Sequence, residues 1–551
     1  MERWHRLGLF AALAVAAALR FWANGAESLW LDELFSVRAA SRETLSGLLE
    51  EVSLDVHPPL FYLLLRGWMS LVGDSEVALR ALPALIGVAT VGATFLLARR
   101  LYDPGVGVAA AWLLAVAPFA VDLDREVRAN TLLTLFGVLS TWALLRRTWL
   151  VYVVLVGLLG WTHPFGLLVV VGHGLWLAGE AGSGGATGTE VRRWFRAVLG
   201  GLLIVAPWVP RMVAQSASFG DHPWYAPPAP DVLAWLMPDL AGGGGSLAVL
   251  LVGVVLLYAR GDAGPGGRLL PAMLLALVGV AYVLSVTAAP ILRDRNVLPL
   301  LPVLVLCAAA GLYRVPGAGG GLVLVATLFS GLVSVGNVRD VRKQDWRGAA
   351  RVVQAGWQEG DRVDANFRTL WAYYLPEVWT EPLSPGRVWT VRAHTDLVTT
   401  GDPSSGELVE EWWLPGAHVA LRDPRVRRVS IGTEMGPPMW DGTLLHFYWN
   451  QRVRSAVVPM SGNCSVGLVG TGEEVDGVGA ELAVRLLVDD VVTKTWMVEL
   501  PARRTQWWST PVRTGDAAIE VEFRNDASGS TSAGAPGDRN AHVDRVLVRC
   551  A

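Results

Sequence analysis

The chain has 551 residues, 52% of them hydrophobic and only 17% charged, with 60 glycines and 25 tryptophans. That is too apolar for an ordinary soluble enzyme and too long for a single domain. A formal net charge of -3 argues against nucleic acid as a partner, because nucleic acid calls for a basic patch or stripe.

Up to about Gly336 the sequence is a series of long apolar runs, and beyond it the composition is that of soluble protein. A membrane span needs about 20 apolar residues, or somewhat fewer where its ends are aromatic or small. The runs 7–22, 76–98, 106–121, 129–145, 148–161, 165–179, 197–210, 246–259, 269–288, 297–312 and 319–336 predict a polytopic helical membrane protein of eleven spans. The first run follows Arg3 and Arg6, as a signal peptide would, but no small-x-small cleavage site follows it, so an uncleaved anchor is expected. Arg99 and Arg100, Arg146 and Arg147, Arg192, Arg193 and Arg196, Arg260 and Arg268, and Arg314 fall in alternate loops. With Arg3 and Arg6 these loops form the cytoplasmic side. The N-terminus is then inside, and an odd number of spans puts the C-terminal half outside. Arg125, Arg128, Arg211, Arg293 and Arg295 break the pattern, and all share the outer face with Asp32 and Glu33.

The first outer loop reads "SLWLDELFS" and then "DVHPPLFYLLLRGWMSLVG". In the second stretch His57-Pro58-Pro59 opens an amphipathic helix suited to lying along the interface. Acidic pairs such as Asp32 and Glu33 are commonest in solvated loops, and a helix cap would explain them equally well. Their company points elsewhere. "DLDREVRANTLLTLF" brings Asp122, Asp124, Glu126 and Arg128 to the same bilayer edge, where charges cost free energy unless paired or hydrated. An ion-pair cap on the helix beginning there is the plainer alternative. "WTHPFG" puts His163 at the outer end of a span, and "ILRDRNVLPLLP" puts Arg293 and Arg295 at another outer mouth. Two guanidiniums at headgroup depth suit bidentate capture of a phosphate, although lipid headgroups or Asp294 would also satisfy them.

From Arg339 to about Asn450 helix-like and strand-like pieces alternate, with "WRGAARVVQAGWQEGDRVDANF" reading as a helix followed by a strand. A small α/β domain over 339–451 is expected, without a nucleotide fingerprint. Residues 452–551 alternate strongly and are rich in β-branched residues, as in "AELAVRLLVDDVVTKTWMVELP", which predicts a β-sandwich. Cys464 and Cys550 bracket this domain and, outside the cytoplasm, can close it as a disulfide, whereas Cys307 lies inside an apolar run.

The ordered set "WLDELFS", "HPPLFYLLLRGWMSLVGDSEVALRALPALIG", "DREVRANTLL" and "RDRNVLPLLPVL", with "QDWRGAARVV" after the last span, resembles bacterial GT-C glycosyltransferases. The likeness is to the branch related to protein mannosyltransferases and lipid A aminoarabinose transferases, and it covers roughly residues 7–353. One departure stands out: the family's E-x-R-x-Y reads here Glu126, Arg128 and Asn130. The resemblance implies transfer of a sugar from a polyprenyl-phosphate donor to a glycan, lipid or protein acceptor outside the membrane. It implies Asp32 as general base, with Glu33 beside it to orient the base or bind acceptor hydroxyls. His57, Glu126, Arg128, His163, Arg293 and Arg295 complete the implied substrate contacts, and whether a divalent metal joins them stays open. A lipid-linked sugar transporter would instead place charges near the bilayer midplane in broken helices, with detectable halves. A non-catalytic glycan-binding assembly protein would need only the terminal module.

The closing run "EVEFRNDASGSTSAGAPGDRNAHVDRVLVRC" resembles calcium-dependent xylan-binding carbohydrate-binding modules. The likeness implies Ca2+ ligands at Asn525, Asp526, Asp538, Asn540 and Asp544, since a hard cation needs 6–8 oxygens at one point.

Overall fold

All eleven apolar runs fold as helices in the computed structural model, which divides into two units, Met1–Lys343 and Gln344–Ala551. The structure describes residues 2–550 except 54, 222–227, 260–262, 289, 341–342, 366, 376–386, 394–406, 415–416, 424–425, 430, 433–444, 448–451, 456–457, 459, 461–462, 473–479, 490, 501–504, 514, 524–527, 531–535 and 539–540. Among the described residues, Arg3–Phe21, Glu76–Leu101, Gly188–Gln215 and Gly264–Thr287 are each long and apolar enough to cross a bilayer. Val232–Ala241 and Gly244–Ala259 make a further pair, bent by 88°. The remaining runs form shorter apolar helices: Pro104–Ala115, Asn130–Leu145, Trp149–Thr162, Gly166–Gly182, Leu300–Tyr313 and Gly321–Val333.

Local chemistry sets the helix starts. Ser75 accepts the Ala78 amide, and the Asp103 carboxylate accepts those of Gly105 and Val106 at 2.8 and 2.9 Å. Both therefore satisfy amide groups that the first helical turn leaves unpaired. Leu300–Tyr313 is buried from Leu300 to Leu312 and is the axis of this unit. It meets Gly244–Ala259 at glycine: a Cβ on Gly311 would collide with the Gly253 carbonyl, so backbone packs on backbone as small residues allow in membrane helices. A second tie is polar. His173 bonds Thr141 and Tyr152 at 2.9 Å each, and Trp194 donates to the Tyr152 hydroxyl at 2.9 Å, so four helices share one satisfied network. The helix expected after His57-Pro58-Pro59 is present as Leu60–Val72, with Phe61, Tyr62 and Leu65 buried and Leu71 exposed.

The second unit opens with the helix Trp346–Gly356, capped by Asp345 onto the Gly348 amide at 2.8 Å. Arg362–Ala365 then pairs in parallel with Val388–Ala393, which continues antiparallel to Ala417–Asp423 and on to Glu407–Leu414, making the four-stranded sheet of an α/β fold. The β-sandwich follows. One sheet runs Val491–Leu500, Ala480–Val488, Ala518–Phe523, Arg452–Ser455, Ile431–Gly432; the other is built on Asn463–Gly472 and Ala541–Cys550. Leu482, Val484 and Leu486 face Cys464, Val466, Leu468, Val546 and Val548 in its core.

The sequence-based boundary at 451/452 does not coincide with the sheets. Val426–Val429 and Leu445–Phe447 pair with Ala541–Cys550, and Ile431–Gly432 pairs with Arg452–Ser455. These short strands cover ladder groups that the later strands would leave open, a long-range pairing that local alternation does not reveal. Cys464 and Cys550 are in register on neighbouring strands and are disulfide-bonded. Asn525, Asp526 and Asn540 lie outside the described residues; Asp538 ends the strand Pro536–Asp538 and Asp544 lies within Ala541–Cys550.

Candidate active site

Trp30 precedes the helix Leu31–Ala40, so Asp32 and Glu33 both fall in its first turn, where the macrodipole favours negative charge. Successive helical residues point about 100° apart, and the two acids accordingly serve different ends. Glu33 is fully buried. Its Oε1 accepts from Arg80 Nε at 2.9 Å and the Val127 amide at 3.0 Å, and its Oε2 from Arg80 Nη2 at 2.7 Å and the Trp30 amide at 3.2 Å. Arg80 also donates to the carbonyls of Asn24, Glu27 and Ser28. Burial pushes the Glu33 carboxyl up, but Arg80 and Lys343 outweigh it and hold it below the usual range. Of the two expectations for Glu33, orienting the base or binding acceptor hydroxyls, this geometry speaks against the second: both oxygens are taken up in fastening the segment before Leu31 to the start of Glu76–Leu101. Removing one partner of a buried pair strands the other, at a cost of about 3–5 kcal/mol. Glu33→Gln should therefore lower the thermal midpoint sharply in detergent. Glu33→Gln with Arg80→Met should recover part of that loss.

Asp32 faces the other way. Its Oδ2 receives Arg295 Nη1 at 2.7 Å and lies 3.8 Å from Arg128 Nη2. Burial raises the Asp32 carboxyl, Arg128 and Arg295 lower it by more, and the net position is below the ordinary value. Arg128 is buried and also donates to the Asp32 carbonyl at 3.2 Å, so the E-x-R segment is clamped onto the start of Leu31–Ala40. Arg295 lies in the short turn Asp294–Val297 and stands over the Trp30 ring at 5.7 Å. The structure thus brings Asp32, Arg128 and Arg295 together from three distant parts of the chain. Arg293 immediately precedes that turn, and Arg295 is the one that reaches Asp32.

The rest of "DLDREVR" divides its labour. Asp124 is locked to Arg20 at 2.7 Å beneath the site, where a Cβ on Gly87 would collide with the pair. That part of the motif is structural. Burial, with Glu126 adding, pushes the Asp122 carboxyl up to about 6 against the pull of Lys343 and Arg125. Glu126 pairs with Lys343 at 3.0 Å through Oε1, and its buried Oε2 has no hydrogen-bond partner among the described residues. Lys343 also stands over Trp30, 5.8 Å from the ring centre.

His57 and His163 meet edge to face with ring centres 4.8 Å apart. His163 Nδ1 accepts the Phe165 amide at 3.0 Å, so its proton is on Nε2. Burial, with His57, Arg128 and Arg295 adding, holds its basicity well below normal and keeps it neutral. Arg80, Lys343, Asp55 and Tyr62 were not singled out by sequence reasoning. Arg80 looks like an ordinary residue in an apolar helix, and Lys343 lies beyond the last span. Among the described residues, no three His, Cys, Asp or Glu side chains are grouped to hold a metal.

The sequence profile of the dolichyl-phosphate-mannose-protein mannosyltransferase family matches residues 56–210. ArnT from Cupriavidus metallidurans in the apo state superposes with a TM-score of 0.54 at 12% identity, over 76% of this chain and 98% of that one. Bound to undecaprenyl phosphate, the same protein gives 0.53 at 12%, over 75% and 97%. The chain has the fold of ArnT. The profile match contains His57, Glu126, Arg128 and His163 but neither Asp32 nor Arg295. The CBM36-1 domain of a xylanase from the hindgut metagenome of Trinervitermes trinervoides aligns at 15% identity over 23% of this chain and 96% of its own, with a TM-score of 0.17. No curated protein sequence matches the chain.

Proposed function

We propose that the protein is a multi-pass membrane glycosyltransferase that moves a sugar from a polyprenyl-phosphate donor to an acceptor on the outer face. The observation that carries this reading is Asp32 held between Arg295 at 2.7 Å and Arg128 at 3.8 Å. One carboxylate and two guanidiniums at the outer end of the helices are the parts the reaction needs. The fold of ArnT, which has been seen with undecaprenyl phosphate, and the dolichyl-phosphate-mannose family profile support the donor class.

The acceptor hydroxyl attacks the anomeric carbon, the carbon–oxygen bond to phosphate breaks, Asp32 takes the hydroxyl proton, and polyprenyl phosphate departs. A carboxylate base is worth about 10²–10⁴-fold in such a step. Charge grows on the departing phosphate, and fixed guanidiniums at headgroup depth stabilise it without reorganising. In the free site those guanidiniums rest on Asp32, so it is ionised but blunted as a base. A phosphate that draws them away restores its basicity. The test is transfer from a polyprenyl-phosphate sugar by the protein in nanodiscs; no turnover with any lipid-linked sugar, beside intact folding, rejects the reading. Mass spectrometry of lipid-linked and surface glycans from a deletion strain and its parent identifies the sugar and acceptor.

The arginine alternation places the N-terminus inside and the second unit outside. Cysteines introduced at exposed sites in 360–375 should be labelled in intact cells by an impermeant maleimide, and those in 183–190 should not. The reverse pattern would put Asp32 on the cytoplasmic face. The terminal sandwich is proposed to bind glycan and Ca2+, on the strength of its closing sequence. Its melting transition in the full-length protein should rise with calcium over chelator, by about 2.7 kcal/mol of added stability at a hundredfold excess over Kd. An unchanged transition removes the metal site.

A further inference from the structure

The stretch "DVHPPLFY" holds a second carboxylate close to the site. Asp55 Oδ2 accepts from His57 Nδ1 at 3.0 Å and from the Tyr62 hydroxyl at 2.8 Å. Pro58 and Pro59 separate His57 from the helix Leu60–Val72, whose first turn carries Tyr62, so a short bend lets both donors converge on one oxygen. Tyr62 is buried and Asp55 only partly so.

His57 Nδ1 has two neighbours, Asp55 Oδ2 at 3.0 Å and Arg128 Nη2 at 3.5 Å. A single ring nitrogen cannot accept from the guanidinium and donate to the carboxylate at once. The shorter, charge-matched contact decides, and Nδ1 carries a proton directed at Asp55. The imidazole and Arg128 then stand side by side with no proton shared between them. Such a pair of donor groups is a place for an anion, and Arg128 also lies 3.8 Å from Asp32. Burial raises the Asp55 carboxyl, and His57, Arg128 and the Val56 amide depress it far more, so it stays ionised in this setting. His163, packed against His57, is neutral and does not compete for that role.

We propose that Asp55 is a positioning residue that fixes His57 with its Nδ1 proton engaged, so that in the donor complex the imidazole, protonated on both nitrogens between two anions, donates from Nε2 to the phosphate beside Arg128. This rests on the glycosyltransferase reading above and adds a residue to it. The carboxylate neither touches the substrate nor takes a proton in the reaction. It orients the imidazole and offsets the charge of its doubly protonated form, as carboxylates behind functional histidines do.

The probe is undecaprenyl phosphate, titrated against the full-length protein in nanodiscs. Asp55→Asn keeps size but loses the charge, and should weaken binding about tenfold, the scale of one contact to a charged group. The apparent KM for donor should rise in step, with kcat at saturating donor within about threefold of the parent. Asp55→Asn added to His57→Gln should cost no further affinity, since Asp55 acts through His57. A wild-type Kd for Asp55→Asn, or a full second loss in the double variant, overturns the proposal. A second measurement needs no variant at Asp55. In the 15N-histidine-labelled parent, assigned by difference from His57→Gln, the His57 signals should show a protonated Nδ1 and an Nε2 that shifts on adding undecaprenyl phosphate. An unprotonated Nδ1, or an Nε2 indifferent to the lipid phosphate, refutes it. Failure of the parent to bind undecaprenyl phosphate at all strikes the glycosyltransferase reading; normal parent binding with an unaffected Asp55→Asn strikes only this inference.

Discussion

Asp32→Asn should transfer sugar about 10²–10⁴-fold more slowly than the parent and bind polyprenyl phosphate more tightly. The first effect follows from chemistry. The amide keeps the size of the carboxylate but cannot take the acceptor's proton, so the base is lost while packing survives. The second follows from the free site, in which Asp32 Oδ2 occupies Arg295 at 2.7 Å. A phosphate must displace that contact, and a neutral amide competes for a guanidinium far less than a carboxylate does. Binding of undecaprenyl phosphate by isothermal calorimetry, beside transfer rates in the same nanodiscs, separates the two. An active Asp32→Asn protein removes the base. Weaker lipid-phosphate binding by an inactive, folded one would mean that Asp32 attracts the donor, through a bridging cation for instance, rather than competing with it.

The chain's architecture was legible because bilayer spans announce themselves through long apolar runs. Each run became a helix, and of the arginines that broke the charge alternation Arg128 and Arg295 met at Asp32. The pairings within that cluster were not legible. Asp32 and Glu33 are adjacent and chemically alike, and only the partners arriving from Arg80 and Arg295 assign one to the scaffold and the other to the site. Asp122, Asp124 and Glu126 differ in the same way: Arg20 fixes Asp124 from a helix a hundred residues earlier in sequence, a distance over which no local pattern reaches. The second unit repeats the lesson. Alternation in "AELAVRLLVDD" gave a strand and a sandwich, but the sandwich also takes up Val426–Val429 and Leu445–Phe447, whose brevity leaves no periodic signal. Asp55 escaped because a carboxylate two residues before a histidine is unremarked in sequence until the bend at Pro58 and Pro59 turns Tyr62 onto the oxygen that His57 also meets.

Arg295→Met should reduce kcat by about 10²–10³-fold, the loss usual when one preorganised donor to a developing oxyanion is removed. Unlike Asp32→Asn, it should also weaken polyprenyl-phosphate binding, because the guanidinium holds the phosphate before the reaction as well as during it. Arg295→Lys is the sharper probe. The ammonium keeps the charge near Trp30 and Asp32 but cannot present two parallel N–H groups, so binding should fall modestly while turnover stays clearly impaired. The two substitutions at Asp32 and Arg295 are coupled through the 2.7 Å contact, so their effects on lipid-phosphate affinity should not add. In the Arg295→Met background, Asp32→Asn loses its main reason to tighten binding, since the cation it released is gone. A double variant that still gains the full affinity of Asp32→Asn would show that Asp32 restrains a different cation, with Arg128, at 3.8 Å, next in line. Arg295→Lys turning over at the parental rate across donor concentrations would move the phosphate clamp away from this arginine altogether.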